Sequence, residues 1–388
     1  MIGQEKIQAA LQKLEQYIRD QSYRGFDPYD ALAAPIFRFP PLRSNKIVRL
    51  ASQQLFRRLP INIRSSIGIE KGLNPVTLGL SLQAISYLLV VYPERRSELE
   101  QEGKKLIDEL QRISSKGYSG YCWGYDFDWQ ARYASFPAYY PTVVATGIIT
   151  NGLFEFYRGT QNADAIEMCK SAVQFILKDL YRTQDGNAFC FSYSPGDKQV
   201  VYNATMKGAR LLAQVYSVTK DSSLASIAEK TVRFVCGRQH SDGSWSYSQG
   251  DARTWVDNFH TGYILDCLDE YIRWTGDVEK KENLRKGIEY YIANFFQSEC
   301  IPKYYSNALH PIDSTAAAQS ILTLTRFGFS EKAVKVALWM IENMQDEDGY
   351  FYYRKERYFT NKISYMRWSN AWMYAALSHL IAMQAKKV

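Results

Sequence analysis

The chain has 388 residues, 46% of them apolar and 22% charged, with a formal net charge of +7. That composition supports a large core and excludes long disordered stretches. No Lys/Arg-rich run, zinc-finger spacing or aromatic–basic signature points to nucleic acid, and the most apolar run, 78–91, is too short and too polar to span a bilayer.

In chain order, apolar spacing and stop signals predict a charged amphipathic helix over 3–20, unlike a signal peptide, and a short helix over 45–59. Five helix pairs follow: 75–92 with 95–112, 139–157 with 162–182, 202–218 with 222–238, 257–275 with 280–296, and 313–327 with 330–345. A last helix, 365–385, has no following partner. Pairing it with 3–20 makes a sixth hairpin. The expected architecture is all-α, a closed (α/α)6 toroid forming a single domain over 1–388, with an open α-solenoid as the alternative.

Links within pairs are short and polar, such as Thr219-Lys220-Asp221 and Thr275-Gly276-Asp277. Links between pairs are long and aromatic, and in a toroid they surround one cavity. Three begin with Gln and reach an aromatic after Gly: Gln184-Asp185-Gly186, Gln239 to Trp245, and Gln345 to Phe351. Gly supplies the left-handed turn that ends a helix; the Gln and the aromatic are expected to tie the link back. The six cysteines, Cys122, Cys169, Cys190, Cys236, Cys267 and Cys300, form no CxxC pair. They read as buried thiols in a reducing compartment, which gives a cytoplasmic expectation.

The sharpest candidate site is Trp255-Val256-Asp257-Asn258-Phe259-His260-Thr261-Gly262-Tyr263. Asp257 or Asn258 suits an N-cap, and His260 and Tyr263 share a helix face. A His in the first turn points toward the cavity mouth, where the helix dipole favours its neutral form; a packed His beside a capping Asp is the plainer alternative. Asp126 and Asp128 alternate with aromatics before Gln130 and Arg132, and a carboxylate beside Trp129 suits a general acid, a loop anchor or an ion pair. Tyr202, Asn203, His310, Asp313, Arg367, Trp368 and Asn370 fall at the starts of other inner helices. Each alone fits a cap; their convergence at one rim is the functional signal. Arg253, Arg354 and Arg357 at that rim fit a carboxylate, sulfate or phosphate on the ligand. The 29 Tyr and eight Trp offer the flat faces a pyranose stacks on. No P-loop, GxGxxG, GxSxG or HExxH motif is present, and neither a cofactor nor a metal is expected.

KTVRFVCGRQHSDGSW (230–245) resembles the Gln–Trp repeat of squalene–hopene cyclases. DGSWSY and DNFHTGYILDCL resemble zinc-binding segments of protein prenyltransferase β subunits, although Ser244 stands where that pattern has Cys. Both families imply the α/α toroid. RGFDPYDAL, WGYDFDWQAR, DNFHTGYILDCL and MRWSNAWM are similar to segments of a poorly characterised bacterial family of exopolysaccharide and capsule biosynthesis clusters, which implies a polysaccharide context.

The leading expectation is an enzyme that cleaves or modifies a glycan by acid–base chemistry. Hydrolysis would use Asp126 or Asp128 as acid, with Asp257 or Asp313 as base or nucleophile. Lyase or epimerase chemistry would use His260 and Tyr263, with Arg132 or Arg253 holding a uronate. A non-catalytic glycan-binding protein of the same pathway and a prenyltransferase- or cyclase-like enzyme are the alternatives.

Overall fold

The structure is a computed structural model that describes residues 2–250 and 252–385. The chain begins with α1 (Ile2–Asp20), then an arm holding α2 (Pro40–Ser44) and α3 (Lys46–Arg58). Hairpin helices α4 (Pro75–Val91) and α5 (Arg96–Arg112) follow, then strands β1 (Trp129–Gln130) and β2 (Ser135–Phe136). Next come α6 (Val143–Thr160), α7 (Ala163–Lys178), β3 (Arg182–Asp185), β4 (Ala188–Phe191), α8 (Tyr202–Thr219) and α9 (Ser222–Cys236). After these lie α10 (Asn258–Thr275), α11 (Lys281–Asn294), β5 (Ile312–Asp313), α12 (Ser314–Arg326) and α13 (Ser330–Met344). The last elements are β6 (Tyr352–Lys355), β7 (Thr360–Ser364), a π-helical turn (Met366–Ala371) and α14 (Trp372–Ala385).

The fold is an (α/α)6 toroid. Helices α4, α6, α8, α10, α12 and α14 pack each on the next, and α14 returns to α4 to close the ring. Inner helices have neighbours on all sides, so their sequences lack a polar stripe: α4 carries no charge and is buried nearly all round. Outer helices are amphipathic; α5 buries Leu99, Gly103, Leu106, Ile107 and Leu110 and exposes its charges. Helix α1 is the outer partner of α14 and also packs on α13.

The repeat that closes the ring is visible in two links. After α9, Gln239 Nε2 donates to the Gly243 and Asn283 carbonyls, both at 2.9 Å. After α13, Gln345 Nε2 donates to the Gly349 and Ala10 carbonyls at 2.9 and 3.0 Å. Gly243 and Gly349 have φ of 93° and 96°, and a Cβ on either would lie 2.3 and 2.5 Å from the Lys286 and Lys13 carbonyls. Only Gly permits both the left-handed turn and that approach. Thus α1 receives the link after α13 as α11 receives the link after α9. Gln184 departs from the expected pattern: it lies in β3 opposite Phe189.

Boundaries moved where caps override periodicity. Helix α6 starts at Val143 because Thr142 Oγ1 accepts from Ala145 N at 3.1 Å and Pro141 disfavours helix before it. The aromatic links are not structureless, since β1–β2, β3–β4 and β5–β6–β7 are short antiparallel ladders within them. No helix among the described residues is long and apolar enough to cross a membrane, and all six cysteines are buried and free.

Candidate active site

The long links enclose a cleft of about 730 Å³ at one end of the ring, within the usual range for small-ligand sites. Of the sequence-selected residues, Trp129, Asn203, Trp255, Asp257, His260, Tyr263, Arg354, Arg367 and Trp368 line it.

Among the described residues the histidine that lines it, His260, stands at the start of α10. Asp257 is the N-cap: Oδ1 accepts from His260 N at 3.0 Å. Its other oxygen, Oδ2, pairs with His260 Nδ1 at 2.6 Å and accepts from Trp255 Nε1 at 3.1 Å. One buried carboxylate therefore ends the helix, orients the imidazole and holds the indole. With Nδ1 engaged, Nε2 is the nitrogen left for chemistry. Tyr247 stacks on Trp255 at 4.9 Å and meets the His260 ring edge-on at 4.6 Å. Trp255 remains 40% exposed, so one aromatic face is open to a ligand.

Tyr263 forms the floor, stacked on Trp372 at 5.3 Å. Burial pushes its phenol well above the usual range, which keeps the hydroxyl protonated. Lys207 Nζ sits 3.6 Å from the Tyr263 ring centroid on the axial side, and burial drives its amine down to about 7. Beneath the floor the ring axis is polar: Arg326 Nη1 reaches Glu270 at 2.6 Å and Asp269 at 3.0 Å, while Gln319 Nε2 donates to Asp266 at 2.6 Å.

On the next inner helix of the ring Asp313 caps α12, accepting from Thr315 N and Ala316 N at 2.9 and 3.2 Å. It also holds Arg354 Nε at 2.5 Å and Trp368 Nε1 at 3.1 Å. Arg367 is clamped by Asp27 through Nε at 2.6 Å and Nη2 at 2.8 Å.

The remaining selected residues do not line the cleft. Asp126 lies in a separate cavity of about 60 Å³, with Oδ1 accepting from Asn74 Nδ2 at 2.6 Å. Burial raises its carboxyl to about 6, helped by the negative charge of Asp27. Asp128 anchors its link by accepting from Ala138 N at 2.8 Å. Gln130 closes the β1–β2 turn onto the Ala131 and Ala134 carbonyls, and Arg132 lies against Tyr133. Arg253 donates to Gln199 Oε1 at 2.8 Å beside the Tyr247 ring. Tyr202 is buried at the start of α8. Asn258 ties Lys303 O and Ser320 Oγ together and accepts from Tyr291. His310 Nδ1 lies 3.3 Å from Lys355 O, and Asn370 binds Phe351 N and Ser364 Oγ.

Sequence reasoning did not select Tyr29, Arg57, Tyr125, Tyr193, Tyr247, Tyr304 or Tyr305, which also border the cleft. The aromatic links signalled most of these in bulk; Tyr29 lay within the similar segment RGFDPYDAL without being singled out, and nothing signalled Arg57. Among the described residues no group of three or more His, Cys, Asp or Glu side chains is placed to hold a metal.

No protein-family model matches the chain, and none of the curated proteins does. Solved structures share the ring. An unsaturated glucuronyl hydrolase specific for heparin superposes with a TM-score of 0.63 at 13% identity, covering 100% of this chain and 98% of that one. A cellobiose 2-epimerase from Bacillus thermoamylovorans gives 0.61 at 13% identity over 81% of this chain and 88% of its own. A GH76 α-mannanase from Bacteroides thetaiotaomicron gives 0.59 at 15% identity, covering 80% and 86%. The chain folds as an α/α toroid. At these identities the likeness is one of fold.

Proposed function

We propose that the protein is a glycan-modifying enzyme that moves a proton at a carbon next to a sugar carbonyl or carboxylate, as an epimerase or lyase does. The observation that carries this reading is the Asp257–His260 pair opening onto an aromatic cleft. In the proposed step, His260 Nε2 takes the proton, Asp257 stabilises the imidazolium that forms, and the protonated Tyr263 hydroxyl serves as donor. Trp255 and the tyrosines around it stack on sugar rings. The glycan-acting neighbours support the substrate class by analogy of fold.

Hydrolysis by a carboxylate pair has less support. It needs two free carboxyls about 5 Å or roughly 6.5–9.5 Å apart. The carboxylates lining the cleft are Asp257, already committed to three partners, and Glu356. Asp126 and Asp128 are spent elsewhere. A role in polysaccharide biosynthesis rests on the four similar segments named above, and the six free thiols suit a reducing, cytoplasmic setting.

The test is incubation in deuterium oxide with neutral and uronate-containing oligosaccharides, read by NMR and mass spectrometry. The expected result is deuterium at the carbon next to the carbonyl or carboxylate, with an epimer or an unsaturated product, and none of these with His260→Gln. New reducing ends without exchange would establish hydrolysis instead. Neither outcome with any sugar would overturn the enzymatic reading.

A further inference from the structure

Four arginines border the cleft, and they differ in what neutralises them. Arg367 is held by Asp27 and Arg354 by Asp313, while Arg58 is exposed at the rim. Arg57, in the last turn of α3, is half-buried, and no carboxylate among the described residues lies within 4.0 Å of it. Its Nη1 donates to the Tyr29 hydroxyl at 3.0 Å, its Nε is sealed from solvent without an acceptor, and Nη2 has no acceptor among the described residues. Glu356 borders the same cleft without reaching Arg57.

A guanidinium drawn into an aromatic wall without a counter-charge is costly. An anion in the cleft would remove that cost, and the planar guanidinium suits an oxyanion. Tyr305 joins this corner to the catalytic one. Its backbone bridges to Asp257, and its phenol lies in the field of both Asp257 and Arg57.

We infer that Arg57 is the receptor for an anionic group carried on the sugar, a carboxylate or a sulfate. The arm between α1 and α4 therefore sets charge specificity, while the ring supplies the proton-transfer groups. This rests on the proposed function for the sugar, but it concerns binding and is tested without turnover.

Calorimetric titration of the His260→Gln chain uses three disaccharides that differ at one end: glucose, glucuronate, or glucose 6-sulfate. One charged ligand should bind about tenfold or more tighter than the neutral one, and added salt should erode that preference. Which charged ligand wins separates carboxylate from sulfate. Arg57→Gln should abolish the preference and leave neutral binding unchanged. If thermal melting shows that R57Q folds poorly, Arg57→Lys is read instead, and a reduced preference supports the assignment. The inference is overturned if charged and neutral ligands bind alike, if none binds, if R57Q weakens all three equally, or if R57K leaves the preference intact. Failure of deuterium exchange in the wild-type chain would sink the proposed reaction without touching this result.

Discussion

At the start of α10, Asp257 caps the helix, holds the Trp255 indole and binds His260. At the start of α12, Asp313 caps the helix, holds the Trp368 indole and binds Arg354. The two corners share three parts and differ in the base. Imidazole exchanges a proton near neutral pH, whereas guanidinium does not. In the proposed reaction the first corner moves the proton, while the second, on the next helix of the ring, is a fixed ion pair that braces the adjoining wall. One neighbour thus distinguishes two N-cap carboxylates that are otherwise built alike.

The largest expected effect breaks the corner built on His260. His260→Gln should lower turnover by about 10²–10⁴-fold with sugar affinity retained, measured by steady-state kinetics and calorimetry. An equal loss in affinity would show that His260 binds rather than reacts. The braced corner should fail in stability instead. Asp313→Ala leaves Arg354 buried without its counter-charge and should cost about 3–5 kcal/mol in urea unfolding. Asp257→Asn sharpens the contrast. Asn caps as well as Asp, so stability should move by less than about 1 kcal/mol while turnover falls by about 10²-fold or more, because a neutral amide does not stabilise an imidazolium.

Two buried groups outside these corners set the pH background. The Lys207 amine titrates near 7 in the folded chain against a reference of 10.5. Between those values the unfolded chain binds a proton that the folded one lacks, so stability should rise with pH by at most about 1.4 kcal/mol per unit. Lys207→Met should flatten that slope in melts from pH 7 to 10. Asp126 behaves oppositely: its folded value of about 6 exceeds the reference 3.8. The folded chain holds the extra proton in that window, so stability falls as pH rises through it. Asp126→Asn should remove this slope, whose narrower window makes its total effect the smaller of the two. A slope that survives either substitution assigns the titration to another group.

The helices were legible because each carries its own period and stop signals. Residues 222–236 and 258–275 match expectation to within a few residues, since Asp221 and Asp257 cap them locally. An N-cap at Asp257 or Asn258 and a first-turn His260 were legible too, but the pairing of Asp257 with His260 came from the structure. Asp126 and Asp128 looked alike in sequence and part company in space. Asn74, more than fifty residues earlier, accounts for one, and the Ala138 amide accounts for the other.

What the sequence determined by itself was therefore local: where the helices run, that they repeat in pairs, and that a capping residue and a His stand at the start of α10. The tertiary structure alone decided which aromatics share a wall, that Arg354 and Arg367 are neutralised by Asp313 and Asp27 while Arg57 is not, and that the arm before α4 borders the cleft. Helix periodicity and capping act over three or four residues, but charge pairing and cavity walls depend on which distant segments the closing of the ring brings together.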